Sequence, residues 1–194
     1  MDKPVRKIIR LDNYDYSKEG YYFVTICTKN YAMMFWKPLP DVGATLGRPL
    51  SEYRRLEQTL VGDFKNALTD IGAIVDKEIN NIHNCYDNCV FIDRYVIMPN
   101  HIHFIIHLTG GPCGEGGRPK VAPTISRVIQ QFKGAVTKKI GFQLWQKSYY
   151  DRIIRNEKEY IAISKYIHNN PIKWDVDEYN PKNENNKAEV HGIK

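Results

Sequence analysis

No run of apolar residues in this 194-residue chain is long enough to cross a membrane, and the N-terminal MDKPVRKIIRLDNYD lacks the apolar core of a secretory signal. The expected location is therefore the cytoplasm. Cysteine is scarce: Cys27, Cys85, Cys89 and Cys113 are expected as free thiols. Cys85 and Cys89 stand four apart, which is not zinc-knuckle spacing, although His83 lies close by. Acidic residues are nearly missing from one long segment. Between Lys120 and Lys173, eleven Lys and Arg face only Asp151, Glu157 and Glu159, a local charge of +8 in a chain whose formal charge is +6. Such a stretch is either a solvated face or, interleaved as it is with Phe132, Phe142, Trp145, Tyr149 and Tyr150, a groove where cations meet phosphates and rings stack on bases.

What is present describes a globular protein of one domain, with 42% hydrophobic and 26% charged residues. The stretch YVIMPNHIHFIIHL (residues 95–108) raises the chemical question. Two histidines, His101 and His103, interrupt an apolar, β-branched run, and burying polar groups without partners is costly. In a strand, residues two apart share a face, so the two imidazoles project side by side, as two ligands of one metal or as a hydrogen-bonded pair at a sheet edge. A His-x-His also opens the triad of the histidine-triad nucleotide hydrolases, but the third position here is Ile105. His107 shares the parity of His103 four residues further on.

The other elements follow from pattern. GYYFVTICTKN (20–30) reads as strand, as do residues 73–79, 89–97 and 101–108. SEYRRLEQTLVGDFKNALTDI (51–71) reads as helix, with Ser51 as its N-cap and Leu56, Leu60, Phe64 and Leu68 down one side. Thr124 caps a second helix, whose stripe is Ile125, Val128, Ile129, Phe132 and Val136. LWQKSYYDRIIR is extended, an edge-strand candidate; Asn156 then opens a third helix with Glu159 three residues on, a capping-box pattern, and Pro171 ends it. Two Gly/Pro-rich loops, near 37–50 and 109–123, share a Gly-Arg-Pro, and the polar tail 175–194 is expected to be disordered. On the last helix Tyr166 and Asn170 are four apart and share a face. They are a core-edge tyrosine and a helix cap, or, if that face docks beside the histidines, a reactive phenol and a third oxygen ligand. His168 points off that face.

Taken together, YDYSKEGYYFVTICTKN, YVIMPNHIHFII, LWQKSYYDRIIRNEKEY and YIHNNPIKW resemble the REP-associated tyrosine transposases, a branch of the Y1-type HUH, IS200-like superfamily. The resemblance covers most of residues 6–174, taken as one domain, and leaves the two Gly-Arg-Pro loops outside the pattern as insertions. It implies an α+β fold, a ferredoxin-like antiparallel sheet with helices packed on one face. It implies His101 and His103 as metal ligands with Asn170 completing the site, and Tyr166 as nucleophile. The metal it implies is Mg²⁺ or Mn²⁺, although two imidazoles and an amide oxygen suit zinc, nickel or manganese as readily as magnesium on ligand preference. The substrate it implies is single-stranded DNA near a hairpin or REP-like palindrome, cleaved through a 5′-phosphotyrosine with no nucleotide cofactor. Lys133, Lys147, Arg152, Arg155 and Lys165 are the candidates for holding the DNA backbone. Monomer and homodimer both occur among the relatives so implied. The alternative is a catalytically silent hairpin-binding protein.

Overall fold

Runs of β-branched and aromatic residues form four strands in the computed structural model, which describes residues 15, 17–37, 67–86, 89–109 and 123–183. They are β1 (Gly20–Cys27), β2 (Val90–Ile97), β3 (His101–Leu108) and β4 (Tyr150–Ile154). All pair antiparallel, in the order β2-β3-β1-β4, so that β1 and β3 are central and β4 is an edge. Among the described residues four α-helices accompany them: α1 (Asp70–Asn80), the single turn α2 (Ile82–Cys85), α3 (Ile125–Ile140) and α4 (Glu157–Asn169). The α+β, ferredoxin-like sheet expected from the sequence is the one observed.

The pleat of β1 and β3 divides the core in two. Tyr22, Val24 and Ile26 of β1 and Ile102, Phe104 and Ile106 of β3 point to one face, where Val75 and Ile79 of α1 and Ile125, Val128, Ile129, Phe132 and Val136 of α3 cover them. Phe23, Ile105 and Ile154 point to the other, where Ile167, Ile163 and Tyr160 of α4 meet them. Helices thus pack on one face as expected for α1 and α3, while α4 takes the opposite face, because Phe23 and Ile105 give that face of the central strands an apolar patch of its own. This second face carries the histidines.

Residues 73–79, expected as strand, belong to α1. Ile71, Ile74, Val75 and Ile79 recur at helical spacing, and the Thr69 hydroxyl accepts from Gly72 N at 3.0 Å, so a cap and an amphipathic stripe override the β-branched composition. Gly72 is required there, since a Cβ would collide with the carbonyl oxygen of Phe35. Most of the expected helix 51–71, with its Ser51 cap, lies outside the described residues, as do nearly all of both Gly-Arg-Pro loops. The capping of α3 and α4 is as expected: Thr124 accepts from Arg127 N at 3.3 Å and Asn156 from Glu159 N at 2.9 Å. Glu159 closes its side of the box on Arg155 N, at 3.0 Å, instead of on Asn156.

The tail expected to be disordered from 175 is folded as far as 183. A 3₁₀ helix, Pro171–Val176, leads into a turn in which Asn180 Nδ2 donates to Trp174 O at 2.9 Å and Asn183 Nδ2 to Asp175 O at 2.9 Å. Composition misled here because the asparagines are used as turn-closing donors, each in place of a backbone partner. Cys27 and Cys85 are free thiols as expected, Cys89 is disulfide-bonded against that expectation, and Cys113 lies outside the described residues. Among the described residues no helix is long and apolar enough to cross a membrane.

Candidate active site

The site is built where β3 begins, under the C-terminal end of α4. His101 and His103 are 0% and 1% exposed, and their Nε2 atoms stand 3.0 Å apart. Burial holds both imidazoles neutral: His101 well below the usual histidine range, aided by His103, and His103 down to about 3. Neutral rings keep a lone pair free for a cation or a proton.

The neighbours decide which nitrogen carries the ring proton. His101 Nδ1 lies 2.9 Å from Asn100 Oδ1 and His103 Nδ1 lies 2.8 Å from Thr25 Oγ1. Asn100 Nδ2 donates to two carbonyls, Tyr31 O at 3.1 Å and Tyr179 O at 2.7 Å, so its Oδ1 must face His101. His101 therefore carries its proton on Nδ1 and presents a bare Nε2. Two bare Nε2 atoms at 3.0 Å would repel, so either a proton on His103 Nε2 or a cation lies between them. Thr25 suits both cases, since a hydroxyl can donate to Nδ1 or, after rotation, accept from it.

Tyr166 reaches this pair through the packing of α4, and Asn170 lies beside Tyr166. Ile163 and Ile167 dock the helix on the sheet, and the neighbouring row one residue back puts the Tyr166 hydroxyl 3.2 Å from His103 Nε2. The Tyr166 and His103 rings meet edge-on at 5.2 Å, with Phe23 6.0 Å behind Tyr166. Burial pushes the phenol up to about 12; Asp177 and Glu178 add to this, and the nearby Asn170 amide opposes it. Asn170 is 2% exposed, caps neither helix with its side chain, and has no hydrogen-bond partner for Oδ1 or Nδ2 among the described residues. A buried, orphaned amide is costly and calls for a ligand.

The donor set fits a divalent cation. With metal–nitrogen bonds of roughly 2.1 Å, cis ligands of an octahedral ion stand roughly 3.0 Å apart, the spacing of the two Nε2 atoms. Among the described residues no three His, Cys, Asp or Glu converge, so a third protein donor would have to be an amide or a phenol, for which Asn170 and Tyr166 are the candidates. His107 is no part of the set: its ring stacks on Tyr21, centroids 4.2 Å apart. His168 is exposed. His83, Cys85 and Cys89 form no metal cluster either.

The DNA-backbone candidates separate. Lys165 lines a cavity of about 460 Å³ beside Tyr166, together with Asn169, Lys173, Asp177 and Glu178. Lys147 and Arg155 are exposed. Arg152 is exposed but paired with Glu159 at 3.1 Å. Lys133 is tied to its own chain: its ammonium donates to Gln146 O at 2.8 Å and Ser148 O at 2.9 Å, and burial lowers it to about 8. It anchors the approach to β4 with two of its three protons.

Four neighbours of the site went unread in the sequence. Thr25 faces His103 across the β1–β3 register, which a strand pattern does not reveal. Asn100 precedes the His-x-His directly, and nothing in MPNHIH signals that its side chain turns onto His101. Asp177 and Tyr179 sat in the supposed tail, yet Tyr179 lies 4.6 Å from the His101 ring.

The comparisons extend this picture. The chain is 33% identical over 189 residues to an uncharacterized protein of Haemophilus influenzae, covering 89% of this chain and 92% of that protein. The chain belongs to that protein's family. No family model matches it. Among solved structures it is similar to a REP-associated tyrosine transposase bound to a REP hairpin, at a TM-score of 0.50 and 19% identity, covering 84% of this chain and 73% of the other. At that identity the shared property is the fold.

Proposed function

We propose that this chain is a single-stranded-DNA transposase or strand transferase that cuts beside hairpins through a phosphotyrosine at Tyr166. One observation carries the reading: a phenol oxygen 3.2 Å from one of two imidazole Nε2 atoms that are themselves 3.0 Å apart, beside a buried amide with no partner. The fold shared with a transposase that holds a REP hairpin supports it, and so does the basic segment 120–173.

His101, His103 and Asn170 would hold Mn²⁺ or Mg²⁺, with manganese the better match to imidazole. When bound, the ion supplies Lewis-acid neutralisation of the phosphate's non-bridging oxygens and of the leaving oxygen. The remaining chemistry belongs to the chain. Tyr166 Oη attacks phosphorus in line, the P–O3′ bond breaks, the 3′ oxygen leaves as a hydroxyl after taking a proton, and the 5′ phosphate stays on the tyrosine. Attack by another 3′-OH on the phosphotyrosine reverses the step and joins two strands, so the number of phosphodiesters is conserved and no nucleotide cofactor is needed. With its pKa near 12, the phenol is protonated at neutral pH, so charge neutralisation at the site has to accompany loss of its proton. Lys165 and Lys173, on the cavity wall beside Tyr166, are placed to hold the flanking phosphates, with Lys147, Arg152 and Arg155 contributing along β4 and the start of α4.

The test is a cleavage assay on single-stranded oligonucleotides carrying palindromes from beside the gene, with Mn²⁺ or Mg²⁺ and with EDTA. Denaturing gels should show a covalent protein–DNA adduct that Tyr166→Phe and His101→Ala abolish. Hairpin binding without an adduct would make the protein a silent descendant. An adduct that survives Tyr166→Phe would move the nucleophile to Tyr150, whose ring is exposed on the neighbouring strand.

A further inference from the structure

We propose that Asn100 is a positioning residue that locks His101 in its Nδ1–H tautomer, keeps the His101 Nε2 lone pair aimed into the site, and ties that alignment to the folded segment 171–183. The inference rests on the reading of the histidines as cation ligands and adds to it a residue outside the ligand set.

Asn100 is fully buried, and every polar atom of its side chain is spoken for. Nδ2 gives its two protons to Tyr31 O and Tyr179 O, leaving Oδ1 2.9 Å from His101 Nδ1. A flipped amide would set its oxygen against two carbonyl oxygens and its NH₂ against an imidazole, at the cost of two lost buried hydrogen bonds. The backbone does not give way either, because Asn100 O accepts from Thr28 N at 2.9 Å and Thr28 Oγ1 at 3.0 Å. The amide orientation is thus set by three separate parts of the chain: the turn at Tyr31, the C-terminal turn at Tyr179, and Thr28 after β1. An Nδ1-bound proton leaves Nε2 as the only basic nitrogen of His101, and Nε2 is the atom that faces His103 at 3.0 Å. Outer partners of this kind fix ring orientation and tautomer, and their loss typically weakens metal binding by 10–100-fold.

The experiment uses the full-length protein, freed of metal with EDTA. Long-range ¹H–¹⁵N NMR assigns the His101 tautomer, and the free Mn²⁺ signal in EPR measures cation affinity, for wild type, Asn100→Ala and Asn100→Asp. The expected result is an Nδ1–H tautomer in wild type, its loss in Asn100→Ala with Mn²⁺ affinity down about 10–100-fold, and its retention in Asn100→Asp at lower thermal stability, since the carboxylate still accepts from Nδ1 but sets its second oxygen against Tyr31 O and Tyr179 O. A wild-type Nε2–H tautomer overturns the proposal, as does a folded Asn100→Ala with unchanged affinity. Should Asn100→Ala fail to fold, the tautomers of wild type and Asn100→Asp decide alone. A wild type that shows the Nδ1–H tautomer and binds no Mn²⁺ overturns the cation reading and leaves the lock as a feature of the fold.

Discussion

Replacing Asp177 by asparagine separates the charge of the C-terminal segment from its shape. Asp177 is 9% exposed; burial pushes its carboxyl from 3.8 up to about 6, a hydrogen bond from Tyr179 N opposes this, and Glu178 adds to it. Because the folded pKa is raised, the stability associated with the protonated acid is complete below about 4 and is lost as pH rises through about 6. The difference corresponds to an unscreened ceiling of about 3 kcal/mol, and the open cavity beside the carboxylate reduces this to about 1–2 kcal/mol. Asparagine cannot ionise, yet its oxygen still accepts from Tyr179 N. In EDTA-treated protein, urea denaturation should find Asp177→Asn more stable than wild type by about 1–2 kcal/mol at pH 8 and level with it at pH 4. Asp177 also helps raise the Tyr166 phenol, so site-resolved ¹³C NMR should show Tyr166 titrating at lower pH in the variant. A stability change of the same size at both pH values, or a loss at pH 8, would refute the reasoning.

Further tests address separate parts of the molecule. Gly72→Ala should cost about 1–3 kcal/mol in urea denaturation, because the added methyl meets Phe35 O; an unchanged midpoint would mean that α1 shifts freely. Thr25→Val should weaken Mn²⁺ binding about 10-fold or more with little effect on single-stranded-DNA binding in EDTA, since the hydroxyl's contact is with His103 Nδ1. Adding Mn²⁺ at a hundred times its dissociation constant should stabilise wild type by about 2.7 kcal/mol and His101→Ala by almost nothing, read as a thermal shift. Lys165→Ala should lower the salt slope of DNA binding by about 0.7, whereas Lys133→Met should leave the slope unchanged and lower thermal stability, since that ammonium holds two backbone carbonyls.

Local rules carried much of the reading. His101 and His103 share a face because strand side chains alternate, and Tyr166 and Asn170 share one because a helix turns every 3.6 residues. Thr124 and Asn156 announce α3 and α4 through cap chemistry that needs no tertiary partner. Where local signals competed, the sequence misled. Residues 73–79 are β-branched, yet they are helical because their buried stripe faces the sheet. Residues 175–183 are polar, yet they are folded because their asparagines close turns around the histidines.

The sequence alone thus determined that His101 and His103 share one face of a strand and Tyr166 and Asn170 one face of a helix, since those relations follow from periodicities of a few residues. Tertiary structure alone decided that α4 takes the face opposite α1 and α3, so that Tyr166 meets His103. It also decided that Lys133 donates to two backbone carbonyls and that Thr25 and Asn100 meet the imidazoles. Contacts such as Thr25–His103, 78 positions apart in the chain, depend on strand register and on the rotation of a docked helix, and no local pattern encodes either.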